Sequence, residues 1–548
     1  VPVQVSGGIR DGRLRMEWSY GAHRYRRATV EGLARRFEAI LRRALSEAAA
    51  DEPARFAPSD FPLAGLDATS LPAALAGRNA VEDLYPLSPL QEGLLFHSLY
   101  EPDDGLYVGQ LDCVLEGDLD VEAFEAAWQH LVDRHPIFRT CFLWRDLDRP
   151  LQLVLPRAEL PLDREDWRGL DAAERARRLA ARLDAGRAAY DLERAPLMRL
   201  SLCRLDDSSY HLVWSHHHLL LDGWAVALLA NEVFEVYQCL RAGRRPDLPP
   251  VRPYRDYIEW LGGQDLEAAR RHWRETLRGF RAPTSLDAVR SPRPEESRRG
   301  LEDHWLALEP EATASLRAWL RAQGMTVSTL VQGVWGTILS HLSGEEDVVF
   351  GATVAGRPTD LEGFERMIGL FINTLPVRVR SRPEAGLAAW LQDLQREQVE
   401  GRRYEFTPLV EIQGQSELPR GTPLFESVLV VENYPMDESH ERSFAIRDFR
   451  YLMIENFPLI FTVLPGTELR IKIKYQAAEL GRTAVERLAS LFLAALRTLA
   501  ARPEATVQAV AEALAADDRE HHRRSGETLR RARQQAFERS RRRSVPTS

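Results

Sequence analysis

The stretch "SHHHLLLDGWA", Ser215 to Ala225, sets three consecutive histidines ahead of an aspartate and a glycine. Imidazole titrates close to neutrality, so a histidine placed against a substrate suits the handling of a single proton. The three cannot share that job. The preceding "YHLVW" reads as a strand whose alternation, extended, carries Leu212, Trp214, His216 and His218 on one face and turns His217 the other way with Val213. Asp222 and Gly223 then read as a turn, and Trp224 opens an apolar helix for which Asp222 is a suitable N-cap. His216 and His218 also form an H-x-H pair of the kind that ligates metals, but no carboxylate or cysteine cluster elsewhere offers the missing ligands. A histidine with its hydrogen bonds simply satisfied is the bland alternative. The sharper one is His218, at a strand end beside a turn and apolar walls, as the group that handles a proton.

The rest of the chain must position that turn. At 548 residues it is too long for one core, and three or four domains or lobes are expected. With 44% hydrophobic and 28% charged residues it has a globular composition. The net charge of −9 offers no basic field for nucleic acid, and no apolar run reaches the ~18 residues of a membrane span. The N-terminal "VPVQVSGGIR" carries neither a basic start nor an apolar stretch, so export is not expected. Cys113, Cys141, Cys203 and Cys239 show no C-x-x-C spacing, and reduced, partly buried thiols in a cytoplasmic protein are expected. Lys472 and Lys474 are the only lysines.

An internal repeat gives the organisation. Residues 14–41, "LRMEWSYGAHRYRRATVEGLARRFEAIL", align without a gap with residues 469–496, "LRIKIKYQAAELGRTAVERLASLFLAAL". Leu14/Leu469, Tyr20/Tyr475, Arg27/Arg482, Val30/Val485, Glu31/Glu486, Leu33/Leu488 and Phe37/Phe492 are identical. Each copy reads as an alternating strand followed by an amphipathic helix. The offset is the length of a domain, so residues 1–50 read as the tail of one domain and 80–515 as a complete second one. Residues 51–79, rich in Pro, Ala and Asp, read as a linker. The four prolines of "AGRRPDLPPVRPYRDY" divide the main domain near residue 255. Residues 516–548 read as a basic solvated helix or linker, with docking to an acidic partner as the alternative.

With its motifs taken together, the sequence resembles a known family. "HHLLLDG" is similar to the H-H-x-x-x-D-G signature of nonribosomal peptide synthetase condensation domains, a signature whose core is shared by chloramphenicol-acetyltransferase-like enzymes. "LSPLQEGLLFHS" (87–98), "RHPIFRTCF" (134–142), "YRDYIEW" (254–260), "VAGRP" (354–358), "IGLFINTLPVRV" (368–379) and "ENFPL" (455–459) resemble the family's other motifs, in family order. Phe138 stands where leucine is usual, Ala225 where serine is common, and "ENFPL" where T-N-Y-P-L is more usual. The resemblance implies an α/β fold: two chloramphenicol-acetyltransferase-like lobes, 80–255 and 256–515, forming a V-shaped pseudodimer with a central tunnel.

It also implies a reaction, aminolysis of a carrier-bound peptidyl thioester by a carrier-bound aminoacyl thioester. His218 would be the base or the positioning acceptor for the amine, His217 a support, and Gly223 a point of close approach. Asp222 would form a structural ion pair with Arg139; Trp224, Ser88, Gln91 and Asn373 would line or support the tunnel. No metal, nucleotide or cofactor is expected to be bound by the domain itself. Its partners would be the upstream donor and downstream acceptor peptidyl carrier domains with their 4'-phosphopantetheine arms, not nucleic acid or a membrane. Residues 1–50 resemble the end of an epimerisation domain, and with the first motif they imply a donor ending in a D-residue and an L-acceptor. "LGGQDL" lacks a carrier's serine and "GQSEL" lacks a thioesterase elbow's closing glycine, so neither activity is expected. A coenzyme A-dependent acyltransferase, an epimerase and a non-catalytic docking platform are the rival readings.

Overall fold

The computed structural model describes residues 3–10, 13–49, 56–100, 105–290, 301–432 and 444–543. The chain divides into two compact units, Val1–Glu82 and Asp83–Ser548. In the first, strands Val3–Arg10 and Arg13–Tyr20 pair antiparallel and are followed by the helix Arg27–Ala49. Trp18 of the hairpin meets Phe37 of that helix edge-on, with ring centroids 5.8 Å apart. A 3-10 turn, Pro58–Asp60, and a short helix, Ser70–Ala74, lie in the expected linker.

Two lobes make up the second unit, each built on a large sheet with helices against it, and a small antiparallel sheet of Asp83–Pro86, Leu151–Val154 and Thr140–Leu143 adds to the N-terminal half. The N-lobe sheet has the strand order Phe444–Met453, Val108–Gly117, Ser209–His217, Met198–Arg204, Leu162–Asp166; only the last pair is parallel. Asp120 and Asp222 cap the helices Val121–Arg134 and Gly223–Arg241, each accepting from a backbone N–H of the first turn. The C-lobe sheet runs Leu301–Leu308, Leu469–Gln476, Leu459–Leu464, Ser427–Val431, Asp347–Val354, Asn373–Arg380. Against it lies the helix Val327–Ser343, whose apolar residues join Phe461, Ile471, Phe492 and Leu496 in one core. The two-lobed α/β class is the one expected. The contiguous division at 255 needs correction, because Phe444–Met453 comes from the C-terminal half and pairs with Val108–Gly117 of the N-lobe. The expected basic segment after residue 516 continues a helix, Val507–Arg543, whose Asp518 pairs with Arg487 and His341.

Candidate active site

The histidine strand, Ser209–His217, is buried along its whole length between two antiparallel neighbours, and His218 lies one residue beyond it. The three imidazoles have separate surroundings. His216 packs on Trp214, with centroids 4.7 Å apart, and its Nε2 lies 3.5 Å from the Tyr451 hydroxyl. His217 points to the other side: its Nδ1 accepts from Leu219 N at 3.2 Å, which makes Nε2 the N–H that donates to Ser98 Oγ at 3.3 Å. Burial takes the pKa of both down to about 3, so both are neutral near pH 7, and His217 also supports the turn through Leu219 N.

His218 differs. Its Nδ1 donates to Leu221 O at 2.6 Å, which fixes the tautomer and leaves the Nε2 lone pair without a protein partner among the described residues. Its backbone N–H donates to Tyr107 O at 2.7 Å. Burial lowers its pKa; Glu455, the Leu221 bond and Asp222 pull it back up, and Lys474 opposes them. The result is a neutral imidazole, locked in orientation, with one acceptor nitrogen to offer.

Asp222 follows as the helix cap, with its Oδ1 accepting from Ala225 N at 2.7 Å. Gly223, half-buried, is the first residue of that helix. The expected Asp222–Arg139 pair is not the one formed. The carboxylate of Asp222 accepts from Phe371 N at 2.9 Å and from Arg357 Nη2 at 3.4 Å, both contributed by the C-lobe. Arg139 ends a 3-10 turn of the N-lobe and donates to the carbonyls of Val132 and Leu155. Arg357 also binds Phe364 O and Met367 O and stacks over Phe371 at 4.2 Å, so its guanidinium organises the whole 364–371 segment. Gly356 makes this approach possible: at φ +61°, a side-chain carbon there would lie 1.8 Å from Phe371 O.

The remaining expected residues are supports. Ser88 and Gln91 bond reciprocally at a helix start, and Gln91 Nε2 reaches Leu219 O at 2.9 Å, holding the loop behind His218. Trp224, half-buried, donates to Glu365 O across the lobes at 3.3 Å. Asn373 is farther along the C-lobe and holds Glu405 O and Thr407 O, at 2.8 and 2.7 Å. Sequence reasoning passed over Arg357, present only as one letter of "VAGRP", and the pair Glu455–Lys474. Lysine inside an alternating strand, in a chain with two lysines, was the available signal for the second. Among the described residues no three His, Cys, Asp or Glu side chains come together as a metal site, and no helix is long and apolar enough to cross a membrane.

Comparison with known proteins bears on the family and the fold. One of the linear gramicidin synthase subunits of Brevibacillus parabrevis is 41% identical over 513 residues, 93% of this chain and 7% of that protein. Chondramide synthase cmdD of Chondromyces crocatus is 37% identical over 550 residues, 92% of this chain and 14% of that protein. The chain thus spans a small part of the length of these relatives. Among solved structures, the X-domain from teicoplanin biosynthesis superposes with a TM-score of 0.65 at 23% identity, over 77% of this chain and 96% of that one. The first condensation domain of the calcium-dependent antibiotic synthetase gives 0.62 at 21%, over 78% and 98%. Both are likenesses of fold. The family model described as "Condensation domain" matches residues 81–520, nearly the whole of the two-lobed unit, and the chain belongs to that family.

Proposed function

We propose that the chain forms peptide bonds, transferring an upstream carrier-bound peptidyl thioester to the α-amine of a downstream carrier-bound aminoacyl thioester. The observation that carries this reading is the His218 imidazole, with Nδ1 tied to Leu221 O and Nε2 unclaimed. An α-ammonium has a pKa near 8, so the acceptor must shed a proton and hold its lone pair toward the carbonyl carbon. The amine nitrogen forms the C–N bond as the C–S bond breaks. Of the ammonium's three protons, one stays on the amide, one goes to the departing thiolate and one leaves through His218. Holding the reactants in line supplies roughly 7–11 kcal/mol in favourable cases. No cofactor of the domain enters; both substrates arrive on 4'-phosphopantetheine arms of carrier domains, in the cytoplasm. The test is transfer between loaded carriers, read by mass spectrometry, for the wild type and His218→Ala. Transfer by the variant at near wild-type rate, with unchanged circular dichroism, would remove His218 from the chemistry.

The same reading makes residues 1–50 the C-terminal fragment of a preceding condensation- or epimerisation-family domain, 51–79 a linker and 516–548 a basic tail. The repeat supports this in three dimensions. In the second copy Leu469, Ile471, Val485, Leu488 and Phe492 are at most 4% exposed; their counterparts Leu14, Met16, Leu33 and Phe37 are 37–52% exposed, and only Val30 is buried. The i,i+4 pair Arg482–Glu486 recurs as Arg27–Glu31. The first copy thus carries the apolar face of a C-lobe strand and helix. We assign the donor a D-terminus and the acceptor the L-configuration, on the first-motif sequence and this tail.

A further inference from the structure

The segment between the crossover strand Phe444–Met453 and the C-lobe strand Leu459–Leu464 runs past the histidine turn. Tyr107 N donates to Ile454 O at 2.9 Å, and Tyr107 O accepts from His218 N at 2.7 Å. One residue, itself held at φ +61°, therefore separates this segment from the histidine. Asn456 Nδ2, 3.4 Å from His97 Nε2, adds a second link to the N-lobe.

Between these links stands Glu455. Its Oε2 accepts from Lys474 Nζ at 3.1 Å, and the same ammonium donates to Met453 O at 3.0 Å. The lysine side chain is 9% exposed and the glutamate 24%, so the cation is buried and the carboxylate keeps an accessible edge. Oε1 has no partner among the described residues. A buried ion pair is a poor device for stability alone, whereas a carboxylate fixed by a buried cation is a preorganised acceptor. Glu432 lies in the same group; burial raises its pKa, and Lys472 and Lys474 restrain it. Of the charges that act on His218, that of Glu455 is the strongest.

We propose that Glu455, fixed by Lys474, is a positioning residue for the acceptor: Oε1 receives one N–H of its amine while His218 Nε2 receives another. The proposal rests on the peptide-bond reading above. A neutral amine has two N–H bonds and one lone pair. With both hydrogens held from two sides, the lone pair is left the one direction in which the donor carbonyl can be placed. Glutamate in place of the threonine more usual in this motif would mark domains that hold the amine in this way.

The experiment uses the full chain with whichever aminoacyl carrier gives most transfer with the wild type. KM for that carrier is compared with the inhibition constant of the same carrier bearing an acyl group that lacks the amine. Glu455→Gln is expected to raise KM about tenfold, the loss of one charge-assisted hydrogen bond, with the inhibition constant of the amine-free carrier unchanged. Glu455→Thr serves the same comparison if the glutamine variant fails to fold. The pH profile gives a second readout. Asp222, His216 and His217 also surround His218 and stay in place in every variant. Removing the glutamate charge moves the acid limb to lower pH, and Lys474→Met moves it to higher pH. An unchanged KM, a parallel rise in both constants, or limbs that shift in the same direction would overturn the proposal. Absence of transfer by the wild type with every acceptor would instead overturn the functional reading.

Discussion

The Asp222–Arg357 pair offers the most direct test of how the histidine turn is held. The two side chains are 0% and 2% exposed and lie 3.4 Å apart. At an effective dielectric near 20 their attraction is about 5 kcal/mol, most of it offset by the desolvation of both ions. Removing one partner leaves that cost unanswered. Arg357→Met is therefore expected to lower unfolding stability by about 3–5 kcal/mol. Asp222→Asn should cost less than Asp222→Ala, because an amide oxygen still caps the helix, worth ~1 kcal/mol. Since the singles strand the same interaction, the double variant Asp222→Asn/Arg357→Met should fall short of their sum by about 1–3 kcal/mol. Asp222→Asn with Arg139→Met should be additive within ~0.5 kcal/mol. Urea unfolding followed by circular dichroism measures all of these. Coupling below ~0.5 kcal/mol at 222–357, or equal coupling at 222–139, would refute the assignment of partners.

Stability should also fall on acidification. His216 and His217 have folded pKa values near 3 against an unfolded value near 6.5, so the unfolded state binds more protons and stability is lost as pH drops below about 6.5. At pH 5 each costs about 2 kcal/mol; a urea midpoint that stays level between pH 7.5 and 5 would contradict this. Burial pushes the Cys113 and Cys203 thiols up to about 12, and Cys141 is buried as well. Iodoacetamide at pH 8 should accordingly label Cys239 first in the native protein, and rapid native labelling of Cys113 or Cys203 would contradict their burial. In competition on one carrier, a D-terminated donor should outpace its L-epimer; equal rates, or an L preference, would remove the stereochemical assignment and leave the condensation reading standing.

The strand, the turn and the cap were legible in the sequence because each depends on neighbours within a few positions. The opposite facing of His217 follows from the two-residue period of a strand, and the capping role of Asp222 from its place before an apolar helix. What failed was the identity of the partner. Arg139 and Arg357 both lie in recognisable segments, and a motif carries no record of which arginine reaches a carboxylate. Arg357 lies 135 positions from Asp222 and arrives by way of the tight passage at Gly356. The crossover strand was missed for a related reason. Nothing local to residues 444–453 tells which sheet their backbone joins; pairing with Val108–Gly117 is decided by the edge that the N-lobe leaves open. Glu455 and Lys474 inherit that difficulty, since they meet only once the crossover is made.

The pin through Asp222 has a mechanical consequence. Its carboxylate belongs to the N-lobe turn, yet Arg357, Phe371 N and, through its own N–H, Gly369 O hold it from the C-lobe, and Trp224 reaches Glu365 O beside it. The histidine turn is therefore one of the places where the two lobes are tied together, beside the backbone pairing of Phe444–Met453 with Val108–Gly117. A relative shift of the lobes would have to break or carry these four bonds, so the position of the turn is tied to that of the C-lobe segment 364–371.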